Sequence, residues 1–259
     1  MDDPINLHGI AARVRMQPKG DIILGSFLHP QSKGHRLWAE PGQVLALLNG
    51  ETMEELARVT VADFQLLDRE NFKLTLNSPV SLEAKNLALE NLTCTASLFC
   101  RGNHFGGCRA RGLLVSTPRK VVIAENTFQS PGAAIRIAGD VCTWYESGRS
   151  TDVTIIRNDF LDTCLSNSYE GGQGILSLSP ELPSPDSRHP CHRNIRIREN
   201  HFLLSDPRIL YALATENLDF SHNTIQKSSR FPKGAEVHPQ FRLEHCRQIR
   251  IQDNLLSGF

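Results

Sequence analysis

The feature that most constrains this chain is a phrase, apolar-x-apolar-x-x-Asn-x-apolar, that recurs through its second half. The copies are LFCRGNHF, VVIAENTF, VTIIRNDF, IRIRENHF, LDFSHNTI and IRIQDNLL, with Asn103, Asn126, Asn158, Asn200, Asn223 and Asn254 at the shared position. Successive asparagines are 23, 32, 42, 23 and 31 residues apart. This is the spacing of one coil of about 23 residues into which loops of different length are inserted, the mark of a solenoid. In each copy the apolar positions follow strand alternation, so Val121, Ile123 and Phe128 face inward and equivalent residues stack coil over coil. The asparagine falls at the bend, where a short amide can adopt left-handed backbone or bond the turn of the neighbouring coil. Its role is read as structural, with a ligand-binding ladder as the alternative.

A second strand type lies between the phrases: GLLVS (112–116), AIRIA (134–138), GILSLS (174–179), ILYALA (209–214) and FRLEH (241–245). No stretch of a dozen residues sustains a helical apolar pattern, and turn formers interrupt throughout. The chain is therefore expected to be all-β, a right-handed parallel β-helix. The region from about residue 10 to 80 reads differently. Its alternating segments AARVRM, DIILGSFL, HRLWAE, QVLALLN, ARVTVADFQLL and NFKLTL are separated by PKG, PQSKG, PG, NGE and DREN and lack the asparagine phrase. They predict an inserted small antiparallel β-barrel or sandwich. The domain reading is a β-helix rung at 1–9, the insert at 10–80, and parallel β-helix from 81 to 259, resuming with VSLEAKNLALENLTC (80–94).

Twenty-eight basic residues balance 28 acidic ones over 259 positions, so no charge footprint points to nucleic acid. No run of about 18 successive apolar residues exists to span a membrane as a helix, and MDDPINLHG has neither the basic nor the apolar part of a secretion signal. Seven irregularly spaced cysteines read mostly as small buried hydrophobes. His189-Pro190-Cys191-His192 has the residue types of a zinc site but no second spaced pair, so no metal and no cofactor are expected. The open solenoid end leaves room for homo-oligomer formation.

Three groups of residues could carry chemistry. DDPINLHG (2–9) aligns with the second strand type, Ile5 and Leu7 matching Leu113 and Val115, which stacks Asp3 over Arg111 about 4.8 Å away. Asp2 and Asp3 are paired carboxylates, the equipment of glycosidic cleavage, and Pro4 supplies a turn that could bring both to one site. A solvated chain terminus is the plain alternative. In WYESG, Trp144 offers an indole face for the apolar side of a sugar and Glu146 a carboxylate for its hydroxyls. Arg109, Arg111, Asp140 and His8 are further binding candidates. Against each stands an ordinary role: surface arginine, turn aspartate, junction histidine, loop packing for Trp144.

DDPINLHG, NHFGGCRARGLLVSTPRKVVIAENTF (103–128) and AAIRIAGDVCTWYESGRSTDVTIIRNDF (133–160) resemble glycoside hydrolase family 110, the exo-acting α-1,3-galactosidases. The likeness covers nearly the whole chain, and DDxINxHG, RARGLL and WxESG are its most specific parts. It implies metal-free, inverting removal of terminal α-1,3-linked galactose from an oligosaccharide or glycoconjugate, from blood-group-B-like or linear Gal-α1,3-Gal ends, by a secreted or periplasmic enzyme. Asp2 and Asp3 match the family's paired carboxylates. By analogy with β-helical pectinases, Asp2 is assigned as general acid and Asp3 as the partner that positions water. Family members carry coils before the Asp-Asp rung, with a third carboxylate of the site on one of them. The resemblance thus implies a piece of a longer enzyme, or a shortened or inactive relative. A non-catalytic carbohydrate-binding β-helix and a pectinase-like enzyme stay open as alternatives.

Overall fold

The computed structural model describes residues 3–16, 19–84, 86–162, 173–231 and 239–258. They form three parallel sheets of six strands each and a closed antiparallel barrel of six strands. Apart from one 3-10 turn, Pro30–Ser32, the described residues contain no helix. The chain is an all-β parallel β-helix with an inserted barrel. Among the described residues no helix is long and apolar enough to cross a membrane.

Each asparagine phrase makes two strands, one before and one after the amide, as in Val121–Ala124 and Thr127–Gln129. The intervening segment adds the third, as in Ile135–Ile137. Registers are uniform: Val121 pairs with Val153, which pairs with Ile195, then Leu218, then Ile249. Phe105, Phe128, Phe160 and Phe202 stack nearly parallel, with centroids 4.8, 5.1 and 4.6 Å apart. Equal rung spacing and an identical side chain at one position leave each ring this single neighbour above and below.

The asparagines form a ladder whose four inner members, Asn126, Asn158, Asn200 and Asn223, are buried. Asn158 Nδ2 donates to Ile123 O at 2.9 Å and to Asn200 Oδ1 at 3.0 Å, while its own Oδ1 accepts from the backbone N–H and the amide of Asn126. The same pattern links Asn200 to Asn223 and Asn223 to Asn254. Of the two roles open to the amide, bonding the neighbouring coil is the one observed. The left-handed backbone falls one residue earlier, at Gly102, Glu125, Arg157, Glu199, His222 and Asp253, all with φ between 53° and 69°.

The barrel runs in the order Ala11–Val14, Lys19–Ser26, Asn71–Ser81, Glu55–Leu66, Val44–Asn49, Leu87–Asn91. Phe27, Trp38, Phe64 and Phe72 fill it, with Trp38 Nε1 donating to Ile10 O at 2.8 Å. Two details differ from the sequence reading. HRLWAE is not a strand but a turn segment, because its tryptophan serves as the core's plug. LALEN, expected to begin the coils, pairs with Ala11–Arg13 and Leu45–Asn49 and closes the barrel. Its five residues are all buried, since it is covered inside by the barrel core and outside by the coils. The coil strands resume at Leu98–Arg101. Ala11, Leu48, Met53, Val141, Tyr145 and Cys191 share an apolar cluster that fastens barrel to coils. Cys100, Cys108 and Cys191 are buried as expected for small hydrophobes; Cys94, Cys142 and Cys246 are not, and Cys164 lies outside the described residues.

Candidate functional site

The rung before the barrel is the strand Ile5–Leu7, paired with Leu113–Val115 in the register read from the sequence. Ile5 and Leu7 pack on the solenoid core, so Asn6 and His8 project outward by alternation. On the later rungs of this sheet the outward positions Leu114, Ser177 and Tyr211 are buried. The face is therefore covered at Leu114, Ser177 and Tyr211, half-covered at Arg136, and open at its two ends, at Asn6 and His8 on the first rung and at Arg242 on the last.

At the start of this rung Arg111 grips Asp3. Its backbone N and its Nε donate to Oδ1 at 3.1 and 2.9 Å, and Nη2 donates to Oδ2 at 2.8 Å. The two side chains are 9% and 3% exposed, so this charge-assisted fork holds the carboxylate in one orientation out of bulk water. Asp2 lies outside the described residues. Arg109 is exposed on the preceding turn.

The loop from Asp140 to Gly148 forms the other wall. The Asp140 side chain is 3% exposed, and its carboxylate accepts from the backbone N–H groups of Cys142, Thr143 and Trp144 at 2.9, 2.6 and 2.9 Å. Its backbone closes the loop by bonding Glu146 N and Ser147 O. Asp140 thus folds the loop, and its carboxylate is occupied by backbone amides. Tyr145, held at φ 54°, turns its carbonyl to Ala11 N and its ring into the seam. Trp144, 54% exposed, and Glu146 are left facing the first rung. Glu146 Oε1 lies 3.8 Å from His8 Nε2, and Gly9 N donates to Ser147 Oγ at 2.7 Å. A Cβ at Gly9 would sit 2.8 Å from that oxygen, so only glycine permits this approach.

Together His8, Trp144, Tyr145 and Glu146 enclose a cavity of about 130 Å³ with His29 and Gln31. The last two come from a barrel loop, the His29 ring tilted against Trp144 with centroids 4.8 Å apart. The structure brings three sequence candidates into one pocket, while Asp3, Arg109, Arg111 and Asp140 are not in its lining. An indole face beside a carboxylate, two imidazoles and an amide has the polarity of a sugar ring, apolar on one side and hydroxylated at the rim.

Behind the pocket, burial pushes the Glu90 carboxyl up to about 7, opposed by the Ser147 hydroxyl, the Gly148 N–H and the charge of Arg149. Its Oε1 is buried without a hydrogen-bond partner among the described residues. The residues of the His-Pro-Cys-His segment diverge. His189 meets Glu54 at 3.0 Å, Cys191 packs on Met53, and burial pushes the His192 ring down to about 3. No group of three His, Cys, Asp or Glu side chains among the described residues could hold one metal ion.

No protein-family model matches the chain. Among curated proteins it is 40% identical, over 100% of its length, to alpha-1,3-galactosidase B of Bacteroides thetaiotaomicron, covering 42% of that protein. It is 35% identical over 99% of its length to alpha-1,3-galactosidase A of Bacteroides fragilis, covering 42%, and 33% identical over 98% to alpha-1,3-galactosidase B of Akkermansia muciniphila, covering 32%. The chain thus spans less than half the length of the curated relatives it matches. With similarity running end to end through both the coils and the barrel, the chain belongs to the family of these α-1,3-galactosidases, glycoside hydrolase family 110.

Proposed function

We propose that this chain is the sugar-cleaving part of a glycoside hydrolase that releases terminal α-1,3-linked galactose, from blood-group-B-like or linear Gal-α1,3-Gal ends, with inversion at the anomeric carbon. The observation that carries the reading is the end-to-end likeness to alpha-1,3-galactosidases, supported by a small pocket lined by Trp144, Glu146 and His8 beside the first rung. Trp144 would pack against the apolar face of galactose, with Glu146 and His8 bonding its hydroxyls. Inverting cleavage uses one carboxylic acid to protonate the leaving oxygen and one carboxylate to activate water on the opposite face. Arg111 leaves Asp3 fixed in direction, which suits the group that orients water, and Asp2 then takes the role of acid.

A second reading, a β-helix that binds the sugar without turnover, is favoured by the same ion pair, since Asp3 is almost wholly occupied by Arg111. The test is galactose release from a Gal-α1,3-Gal disaccharide and a blood-group-B trisaccharide, with Asp2→Asn and Asp3→Asn alongside. Release lost in either variant supports the hydrolase. Galactose binding that survives both substitutions, with no release by any version, supports the binding module. Absence of both, with turnover of uronic-acid polymers, would replace the reading with a pectinase-like one.

A further inference from the structure

The loop that presents Glu146 continues into Arg149, and there a second cleft, of about 350 Å³, opens between barrel and coils. Its charged walls are Arg58 and Glu55 from the barrel and Arg119 and Arg149 from the coils, with Thr93 and Thr151 between them. Three guanidinium groups thus face one carboxylate, in a chain whose net charge is zero.

That carboxylate is already taken. Arg58 holds Glu55 through Nε to Oε1 at 2.7 Å and Nη2 to Oε2 at 3.3 Å. Arg149 reaches Glu55 only at 3.8 Å, beyond hydrogen-bond length, although its side chain is 16% exposed. Burial and the charge of Arg193 both push Arg149 below the ordinary arginine value. Arg193 is itself poorly neutralised, for among the described residues its Nε is buried without a hydrogen bond and its acid, Glu216, is shared with Arg247. Arg119 is steadied by Leu92 O and Thr95 Oγ1 while it lines the same cleft. Arg149 has Glu55, Glu54 and Glu90 in its surroundings, but Glu55 is bonded by Arg58 and burial raises the Glu90 carboxyl to about 7. With Arg58 and Arg119 it gives the cleft an excess of guanidinium groups, the donor geometry that pairs with a planar or tetrahedral oxyanion.

We propose that this cleft is an oxyanion subsite that takes the acidic substituent of a charged glycan, a sugar carboxylate or a sulfate ester. The glycan part rests on the galactosidase reading above; the oxyanion part does not. The structure therefore carries a neutral-sugar pocket walled by Trp144 and Glu146 and an acid-reading cleft at Arg149, joined by one short loop.

The experiment is calorimetric titration of the chain with sodium sulfate, galactose 6-sulfate and sialyllactose, with lactose and sodium chloride at matched ionic strength as controls. Saturable sulfate binding in the millimolar range is expected, weakened at least tenfold in Arg149→Met. Arg58→Ala removes an exposed side chain and frees Glu55 to pair with Arg149, so it should weaken sulfate binding about threefold or more with the fold intact. Whichever acidic sugar binds more tightly than free sulfate identifies the source of the oxyanion. The melting temperature of Arg149→Met in plain buffer at pH 5, where the raised Glu90 carboxyl is protonated and needs no cation, should equal or exceed that of the parent, because an under-neutralised charge has been removed. A clear fall would mean that the protein already satisfies Arg149, and would overturn the proposal. So would the absence of saturable binding by all three anions, or equal sulfate binding by parent and Arg149→Met. Sulfate binding without galactose release leaves the cleft standing and removes only the galactosidase reading.

Discussion

The coils and the barrel are both all-β, yet they are stabilised in different ways. In the coils each rung repeats one set of contacts: a phenylalanine on a phenylalanine from Phe105 to Phe202, replaced by Ile225 and Leu256 in the last two rungs, an asparagine amide on the next asparagine, an apolar strand on its copy. Each rung touches chiefly its two neighbours, so stability approximates a sum of rung and interface terms. In the barrel no contact repeats. Phe27, Trp38, Phe64 and Phe72 meet in one cluster, and six strands close on themselves. The difference teaches where damage travels: along a column in one region, through a whole closed sheet in the other.

The largest expected effect tests this directly. Phe160→Ala removes the ring between Phe128 and Phe202 and should destabilise by about 4 kcal/mol, and Phe72→Ala in the barrel should cost about as much. Hydrogen exchange separates them: the first should deprotect the rungs on either side of Phe160 and spare the barrel, the second should deprotect all barrel strands together. Equal deprotection of barrel and coils by Phe160→Ala would break the comparison.

Next in size is pH. The barrel buries an acid and the coils a base, so their slopes oppose. Glu90 has its folded value raised to about 7, so its contribution is complete below the ordinary carboxylate range and is lost as pH rises through about 7. Glu90→Gln should remove that loss and raise stability at pH 8 by about 3 kcal/mol, read from melting curves between pH 5 and 9. His192, depressed to about 3, contributes above the usual histidine value, and that contribution is lost as pH falls toward 3. A Glu90→Gln chain that still weakens as strongly from pH 6 to 8 would place the titrating group elsewhere.

Smaller still is the ladder. Asn158→Ala deprives the buried Asn126 N–H and Ile123 O of their partner and should cost about 2 kcal/mol in urea unfolding. A loss near zero would mean that the amide column sets register without adding stability. The smallest effect concerns the turn beside it. Arg157 sits at φ 53°, which glycine adopts freely, so Arg157→Gly should change stability by less than about 1 kcal/mol, in the stabilising direction. A loss greater than that would credit the exposed ion pair with Glu125.

Much of the fold was legible because it is local and repeated. The spacing of Asn103 through Asn254 announced the coils, and matching Ile5 and Leu7 to Leu113 and Val115 gave a register that the structure shows. LALEN falls within the segment where the sequence has the coils resuming; only its pairing with strands some 40 and 75 residues earlier makes it barrel. Within the site, His8, Trp144 and Glu146 could be picked by side-chain chemistry, and they do meet. Gln31 lies in PQSKG, a separator between strands, and His29 just before it, while nothing in the sequence singles out Glu90, since no local pattern records what packs outside a barrel.

By itself the sequence determined the rung: which residues point inward, where the chain bends, and that equivalent positions stack, because alternation and turn chemistry act over a few residues. The tertiary structure alone decided the seam, where the barrel's His29 loop meets Trp144, Arg111 closes on Asp3, and Glu55 is given to Arg58 and withheld from Arg149. Those contacts join two surfaces that share no repeat. They depend on how whole elements are covered and on which charges lose water together, and such quantities exist only once the chain has closed on itself.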